Sequence, residues 1–430
     1  MGGARAAPEL TACGRGLVKV LVYPHSMAVG GSQLNAVELA AAVRDRGHDV
    51  SIFAGPGPLR TVADELGLPL VHAPVVGRRP SPRTIRALTR DVRAGGFDLV
   101  HGYEWPPAME AVYGPHLRWS TPVVATIMSM AIAPFLPVHL PLVVGTELIQ
   151  DDCAAAGRVD VQLIEPPVDT TANAPVERPD AFAAKWRIAA GQPVVVVVSR
   201  LAEELKKTGL LEAVQAVAAL PPALGARLLI VGDGPARDEV DQRASGVNAA
   251  CGREVVTCTG ELLDPRPAYA VADVVLGMGS SILRGMAFAK PAVVQGEGGF
   301  WAVVEPGNLP MFLHQGWYGV GDGRPGVAAL TSILADLLSD DARRGDLGVF
   351  SRHVVLDRFS LARAARLLET VYDAALRPGA IQGRSRSMSI ASASLVAYKL
   401  RRRYDRSRGQ AAEDDFNARP TQPVASVGAA

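Results

Sequence analysis

The chain has 430 residues, 48% of them hydrophobic and 20% charged, which is enough for two domains of ordinary size with large buried cores. Lys and Arg total 44 against 43 Asp and Glu, and a formal net charge of +1 argues against a general nucleic-acid binder, which would show a strong basic excess. No apolar run approaches the ~20 residues needed to span a bilayer, and Cys13, Cys153, Cys251 and Cys258 contain no C-x-x-C pair, so buried thiols in a reducing cytoplasm are expected.

Residues 1–16, "MGGARAAPELTACGRG", lack a continuous apolar segment and read as a disordered lead, not a signal peptide. "LVKVLVY" (17–23) is a first strand, "GGSQLNAVELAAAVRDRG" (30–47) a glycine turn opening an amphipathic helix, and "DVSIF" (49–53) a second strand. Further strands are predicted at 98–102, 122–127 and 140–145. The proline-rich stretch "EPPVDTTANAPVERP" (165–179) breaks the pattern, which restarts at "QPVVVVVSR" (192–200). It continues at 226–232, 253–260, 272–277 and 290–296. Alternating β and α segments specify parallel α/β layers, and two such domains leave a cleft lined by loops at the strand C-termini. The division is an N-terminal Rossmann-like domain (17–167), a linker (168–190), a second Rossmann-like domain (191–360), a closing helix (361–377) expected at the hinge, and a Ser/Arg-rich tail (378–430), mostly disordered or only partly helical.

Four motifs are in an order and spacing that resemble the family 4 retaining glycosyltransferases of the GT-B fold, over residues 17–376. They are "VGGSQLNAVELAAAVRDRGHDV", "VSRLAEELKKTGLLEAVQA", "LLIVGDGP" and "ADVV…LRGMAFAKPAVV". The resemblance implies that Gly30 and Gly31 lie over a donor's phosphates, where glycine lets backbone amides approach an anion. The alternative is a tight turn with close helix–strand packing. Arg200 and Lys206 would stabilise charge building on a departing diphosphate, with the one-residue slip to Lys207 left open. A solvated "EELKK" turn, its lysines paired with Glu203 and Glu204, is the bland reading.

Three departures from the family pattern stand out. Arg284 and Gly285 occupy the place of a Glu-Ala pair whose glutamate contacts ribose. With Gly277, Gly279, Ser280 and Ser281 forming a compact helix start, this suits a phosphate-seeking site, unless Arg284 merely pairs with an acidic neighbour. The preceding loop is too short for the family's other glutamate, and Glu297 beside Gly298 is the candidate replacement. Met128 replaces a histidine of a T-x-H arrangement and cannot transfer protons. The resemblance implies a mechanism in which the leaving phosphate itself serves as base. Tyr103, Glu104 and Trp105 are candidates for an acceptor wall, with Glu104 alternatively capping the helix at Pro106. The helix at 81–95 carries Arg83, Arg86, Arg90 and Arg93 on one face, which reads as a solvated face or, as in some relatives, as a weak membrane-surface contact.

The expected protein is a metal-independent hexosyltransferase, cytoplasmic or peripheral to the inner membrane, of secondary-metabolite or cell-envelope biosynthesis. It would act without a cofactor on a UDP- or GDP-linked nucleotide sugar and a small hydroxylated acceptor, as a monomer or homodimer. The alternatives are a pseudo-glycosyltransferase joining non-sugar rings and a silent module that binds a sugar nucleotide.

Overall fold

Runs of branched apolar residues without polar alternation, such as Val194–Val198, are satisfied only in a strand covered on both faces. The computed structural model, which describes residues 16–377 and 384–408, places these runs inside two sheets. The first contains β1 (Lys19–Tyr23), β2 (Asp49–Ala54), β3 (Leu70–His72), β4 (Leu99–Tyr103), β5 (Val123–Ile127), β6 (Leu142–Val144) and β7 (Val161–Leu163). All pair in parallel, in the order β3-β2-β1-β4-β5-β6-β7. The second contains β8 (Val194–Val198), β9 (Arg227–Val231), β10 (Val256–Gly260), β11 (Val274–Gly277), β12 (Ala292–Gln295) and β13 (Trp301–Val303), in the order β10-β9-β8-β11-β12-β13. Only β13 runs antiparallel. The strands that the sequence pattern did not reveal, β3, β7 and β13, are three-residue edge strands, too short and too exposed on one side to show a period. Helices cover both faces of each sheet, so each domain has two hydrophobic layers. Strand order reverses at β1 beside β4 and at β8 beside β11, and the crevice outside those strand ends is the place for a ligand in such sheets.

The chain crosses between the domains twice, and the two crossings touch. The Val168 N–H donates to Phe359 O (2.8 Å) and the Leu361 N–H to Val168 O (2.9 Å). Arg358 secures the same place with a hydrogen bond to Glu165 (2.5 Å) and another to Glu147. Burial pushes the Glu165 carboxyl up, and the Arg358 guanidinium opposes that shift. The helix Asp341–Arg358 packs on the Ser280–Ala287 helix of the second domain, whereas the closing helix Leu361–Ala375 lies on the first helix, Gly31–Asp45. It buries Ala364, Ala365, Leu368, Val371 and Tyr372 there.

The described part of the tail is helical, the second of the two readings that the sequence left open. Residues Arg384–Ser407 form one helix that docks on the first domain through Met388, Ala391 and Leu395. Their i, i+3, i+7 spacing makes one apolar stripe within a Ser/Arg-rich segment. Residues 409–430, and the lead apart from Gly16, lie outside the described residues. Cys153, Cys251 and Cys258 are free thiols.

His101 on β4 joins three elements: its Nδ1 lies 2.7 Å from the Tyr372 hydroxyl of the closing helix, and its Nε2 lies 2.6 Å from Thr126 Oγ1 of β5. Burial drives its pKa from 6.5 down to about 3. A depressed folded pKa means that the unfolded chain takes up the proton first. The neutral ring's contribution is therefore complete above about pH 6.5 and is lost as the pH falls from there toward about 3. This group alone should cost up to about 1.4 kcal/mol per pH unit in that window. Urea unfolding of wild type and His101→Asn at a series of pH values should give a shallower acid slope for the variant. Identical slopes would show that His101 does not govern the acid limb.

Candidate functional site

In the second domain the loop after β8 carries two cations side by side. Arg200 is exposed, and Lys206 is half-buried where the helix Lys207–Ala218 begins. Burial first, and then the charge of Arg200, lower the Lys206 ammonium from 10.5 to about 8. Neither side chain is ion-paired with a described residue. Lys207 is different: it pairs with Glu203 (2.6 Å) and Glu239 (3.1 Å), which raise its pKa. The geometry separates the two lysines, with Lys206 beside Arg200 and Lys207 turned to its own acids. The backbone that aims Lys206 is held from β12, where Gln295 Nε2 donates to Lys206 O (3.1 Å), and Leu205 before it sits at φ +65.

The turn after β11 begins the helix Ser280–Ala287. Gly279 adopts φ +62 and ψ −142, a conformation open in practice to glycine alone, and its N–H donates to Trp317 O (2.9 Å). Ser281 is turned inward, its hydroxyl donating to Met278 O (3.0 Å). Arg284 is one turn further on. It does not point back toward the glycine turn but pairs with Glu38 on the first domain's first helix at 2.7 Å, both side chains being mostly buried. Burial opposes its charge, yet Glu38, Tyr269 and Asp169 hold its pKa up. Of the two readings that the sequence left open, the ion pair with an acidic neighbour is the one built here, and it spans the two domains. Glu297 accepts a hydrogen bond from the Tyr318 hydroxyl, and its backbone interlocks with Gly319 and Gly321. Gly298 follows at φ +59. The Glu297 carboxylate thus has one oxygen, Oε2, bonded to Tyr318.

On the facing side, Gly30 and Gly31 open the helix Gly31–Asp45 at the end of β1. A Cβ on Gly31 would sit 2.7 Å from Ser280 Oγ, so the glycine turn of one domain touches the helix start of the other. Beside it, Glu104 at the end of β4 holds φ +67 and ψ 168, a region sparsely used by residues with a side chain. Three donors fix it there: Ser32 Oγ (2.9 Å) and the Met128 N–H (3.1 Å) on Oε1, and Ser129 Oγ (2.6 Å) on Oε2. Glu104 therefore ties together the loops after β1, β4 and β5, and it makes no side-chain cap on the following helix. Ser32 and Ser129 were not singled out from the sequence; the serine directly after the glycine pair was the available signal.

The aromatic acceptor wall needs correction. Tyr103 is fully buried, its ring against His101, with a hydrogen bond to Thr126 and a pKa raised by burial. Trp105 packs edge-on to Phe135 (5.0 Å) and Tyr398 (6.4 Å), in the layer covered by the tail helix. Both serve the first domain's core. Met128 is half-buried, with its sulfur against Gly145. Among the described residues no group of three or more His, Cys, Asp or Glu is placed to hold a metal ion.

Residues 30–165 match a family model described as a glycosyl transferase 4-like domain, and residues 192–340 match one described as glycosyl transferases group 1. A GDP-mannose-dependent alpha-(1-6)-phosphatidylinositol monomannoside mannosyltransferase of Mycolicibacterium smegmatis is 32% identical over 223 residues, 48% of this chain. The match spans 54% of that relative's length. A phosphatidyl-myo-inositol mannosyltransferase of the same organism is 26% identical over 393 residues, covering 83% of this chain and 95% of that one. Among solved structures, the Anabaena protein HepE in complex with UDP-glucose superposes with a TM-score of 0.62 at 17% identity, covering 83% of this chain and 99% of that one.

If Glu104 organises the three loops, Glu104→Ala should destabilise the first domain by about 1–3 kcal/mol, since three donors lose their acceptor. Glu104→Gln, which keeps one acceptor oxygen, should lose less. Urea unfolding with hydrogen exchange at residues 25–33 and 127–130 measures both effects. An Ala variant with wild-type stability and unchanged exchange would remove Glu104 from this role.

Proposed function

This chain belongs to the family 4 glycosyltransferases of the GT-B fold, and from that premise we propose that it moves a hexosyl group from a nucleoside-diphosphate sugar to a small hydroxylated acceptor with retention of configuration. The observation that supports this most is the Arg200–Lys206 pair: two cations held together without an acid, at the strand end where a ligand belongs. Breaking the bond between sugar and diphosphate builds negative charge on the leaving oxygens. Preorganised cations stabilise that charge more in the transition state than in the bound donor. The Gly279–Ser280 helix start and the Gly30–Gly31 turn converge from opposite sides of the same crevice, so backbone amides can share the diphosphate. In this reading the departing phosphate takes the proton of the acceptor hydroxyl on the face from which it leaves, which gives retention and asks no proton transfer of Met128. Arg284 serves domain contact through Glu38 and not the donor.

GDP-mannose is the first donor to test, because one mycobacterial relative is named as GDP-mannose-dependent, and UDP-glucose the second, because HepE was solved with it. A cyclic polyol of the inositol type, free or lipid-borne, is the proposed acceptor class, on the names of both mycobacterial proteins. The proposed location is the cytoplasm; no helix among the described residues is long and apolar enough to cross a membrane. The basic face at 82–95 is read as solvated: Arg90 pairs with Asp91 and Arg93 lies over Trp119.

Arg200→Ala and Lys206→Ala should each lower turnover on the order of 10²-fold, and Lys207→Ala by no more than about threefold. The pH dependence separates the lysines further. Lys206 carries its charge below about pH 8, so nucleoside diphosphate affinity should fall as the pH rises through about 8, and this step should be missing in Lys206→Ala. Titration calorimetry with GDP and UDP, and turnover of the accepted donor, provide the readings. Normal turnover in Arg200→Ala, or no donor cleavage by wild type with any acceptor, would overturn the proposal.

A further inference from the structure

The helix Arg384–Ser407 has a second apolar face that its docking does not use. One face is fastened to the first domain. The Ser387 hydroxyl accepts the Val138 N–H (3.0 Å) and lies 3.0 Å from His139 Nδ1; Ser392 meets the Tyr113 hydroxyl (3.0 Å); and Tyr398 packs on Phe135 (4.9 Å). Turned away from Met388, Ala391 and Leu395, the side chains of Ile390 (58% exposed), Val396 (58%), Leu400 (64%) and Tyr404 (55%) stand in solvent. No other described helix exposes more than two large hydrophobic residues. Around this stripe stand exposed cations, among them Arg386, Lys399, Arg401, Arg403 and Arg406. Residues 384–408 hold eight Lys or Arg and a single acid, Asp405, although the whole chain nets only +1. Basic charge is thus concentrated on one element, around exposed apolar groups.

We propose that the outer face of this helix docks the protein on an anionic lipid surface. The stripe supplies side chains to enter the headgroup boundary, and the long cationic side chains beside it keep their stems with the apolar groups and their heads on lipid phosphates. A second copy of the chain would bring like charge against like charge at this face, which disfavours a self-interface. Because the opposite face is packed on the domain, the stripe is presented on a rigid body. This docking is independent of the donor chemistry, so its test can fail without touching the proposed activity.

The test is flotation of the full-length protein with vesicles of phosphatidylcholine alone, or of phosphatidylcholine with phosphatidylglycerol, at low and high salt. The wild type should float with the anionic vesicles, bind neutral ones weakly and lose binding as salt rises. Ile390→Ser/Leu400→Ser/Tyr404→Ser should lower the bound fraction roughly tenfold or more with little shift of the unfolding midpoint, since these side chains are largely exposed. Arg401→Gln/Arg403→Gln/Arg406→Gln should weaken binding and flatten its salt dependence. Three results would each overturn the proposal. One is wild-type flotation of the serine variant, and another is equal binding to neutral vesicles. The third is a lipid-free dimer that the serine substitutions dissolve, which would assign the stripe to a second copy. Loss of binding in Arg83→Gln/Arg86→Gln/Arg93→Gln, with the tail variants unaffected, would transfer the docking to the first domain's helix and reject this one.

Discussion

Two like charges held next to each other, with no acid to relieve them, are the constraint around which the cleft is built. Arg200 and Lys206 repel, and Lys206 is also partly withdrawn from water, so that its pKa falls to about 8. A flexible loop would let them part. Here Gln295 holds the Lys206 carbonyl from β12, Leu205 is kept in a left-handed conformation, and the Leu201 N–H is bonded to Asp233 O from the loop after β9. The second domain therefore holds the two cations together, the arrangement that the proposed diphosphate site requires. Preorganisation of this kind places the energetic cost in folding and leaves less reorganisation for the reaction.

The first domain mirrors this device with the opposite sign. Glu104 is a carboxylate in a strained conformation, surrounded by the hydroxyls of Ser32 and Ser129 and by a backbone amide. Its donors come from the loops that face the second domain. The two halves meet where Gly31 approaches Ser280 and where Glu38 reaches Arg284, while the paired crossings at Val168 and Leu361 are fastened to each other and by Arg358. Arg284 thereby contributes to the contact between the domains. A helix entry that carries an acid in the resembled family here carries the cationic half of an interdomain pair.

The central strands were readable because their residues are branched, apolar and buried on both faces, leaving strand as the consistent reading. What the sequence hid depended on direction, not on composition. Tyr103 and Trp105 sit at a strand end, as a site residue would, but nothing in "HGYEWPP" tells which side of the sheet an aromatic ring takes; both went to the core. Lys206 and Lys207 are neighbours in sequence and diverge only because the helix begins between them. Glu38 lay unremarked in the middle of an amphipathic helix, since its partner is 246 positions away. In the tail, three buried positions in a Ser/Arg-rich segment were outweighed by the composition around them.

The central claim is that one diphosphate site spans the cleft, from the Arg200–Lys206 loop to the Gly279–Ser280 helix start and across to the Gly30–Ser32 turn. Hydrogen–deuterium exchange with and without saturating nucleoside diphosphate measures all three at once. The account predicts slower exchange in residues 199–207, 277–283 and 30–33 together, with the tail helix at 384–407 unchanged. Protection limited to one domain, or found only away from these segments, would contradict it.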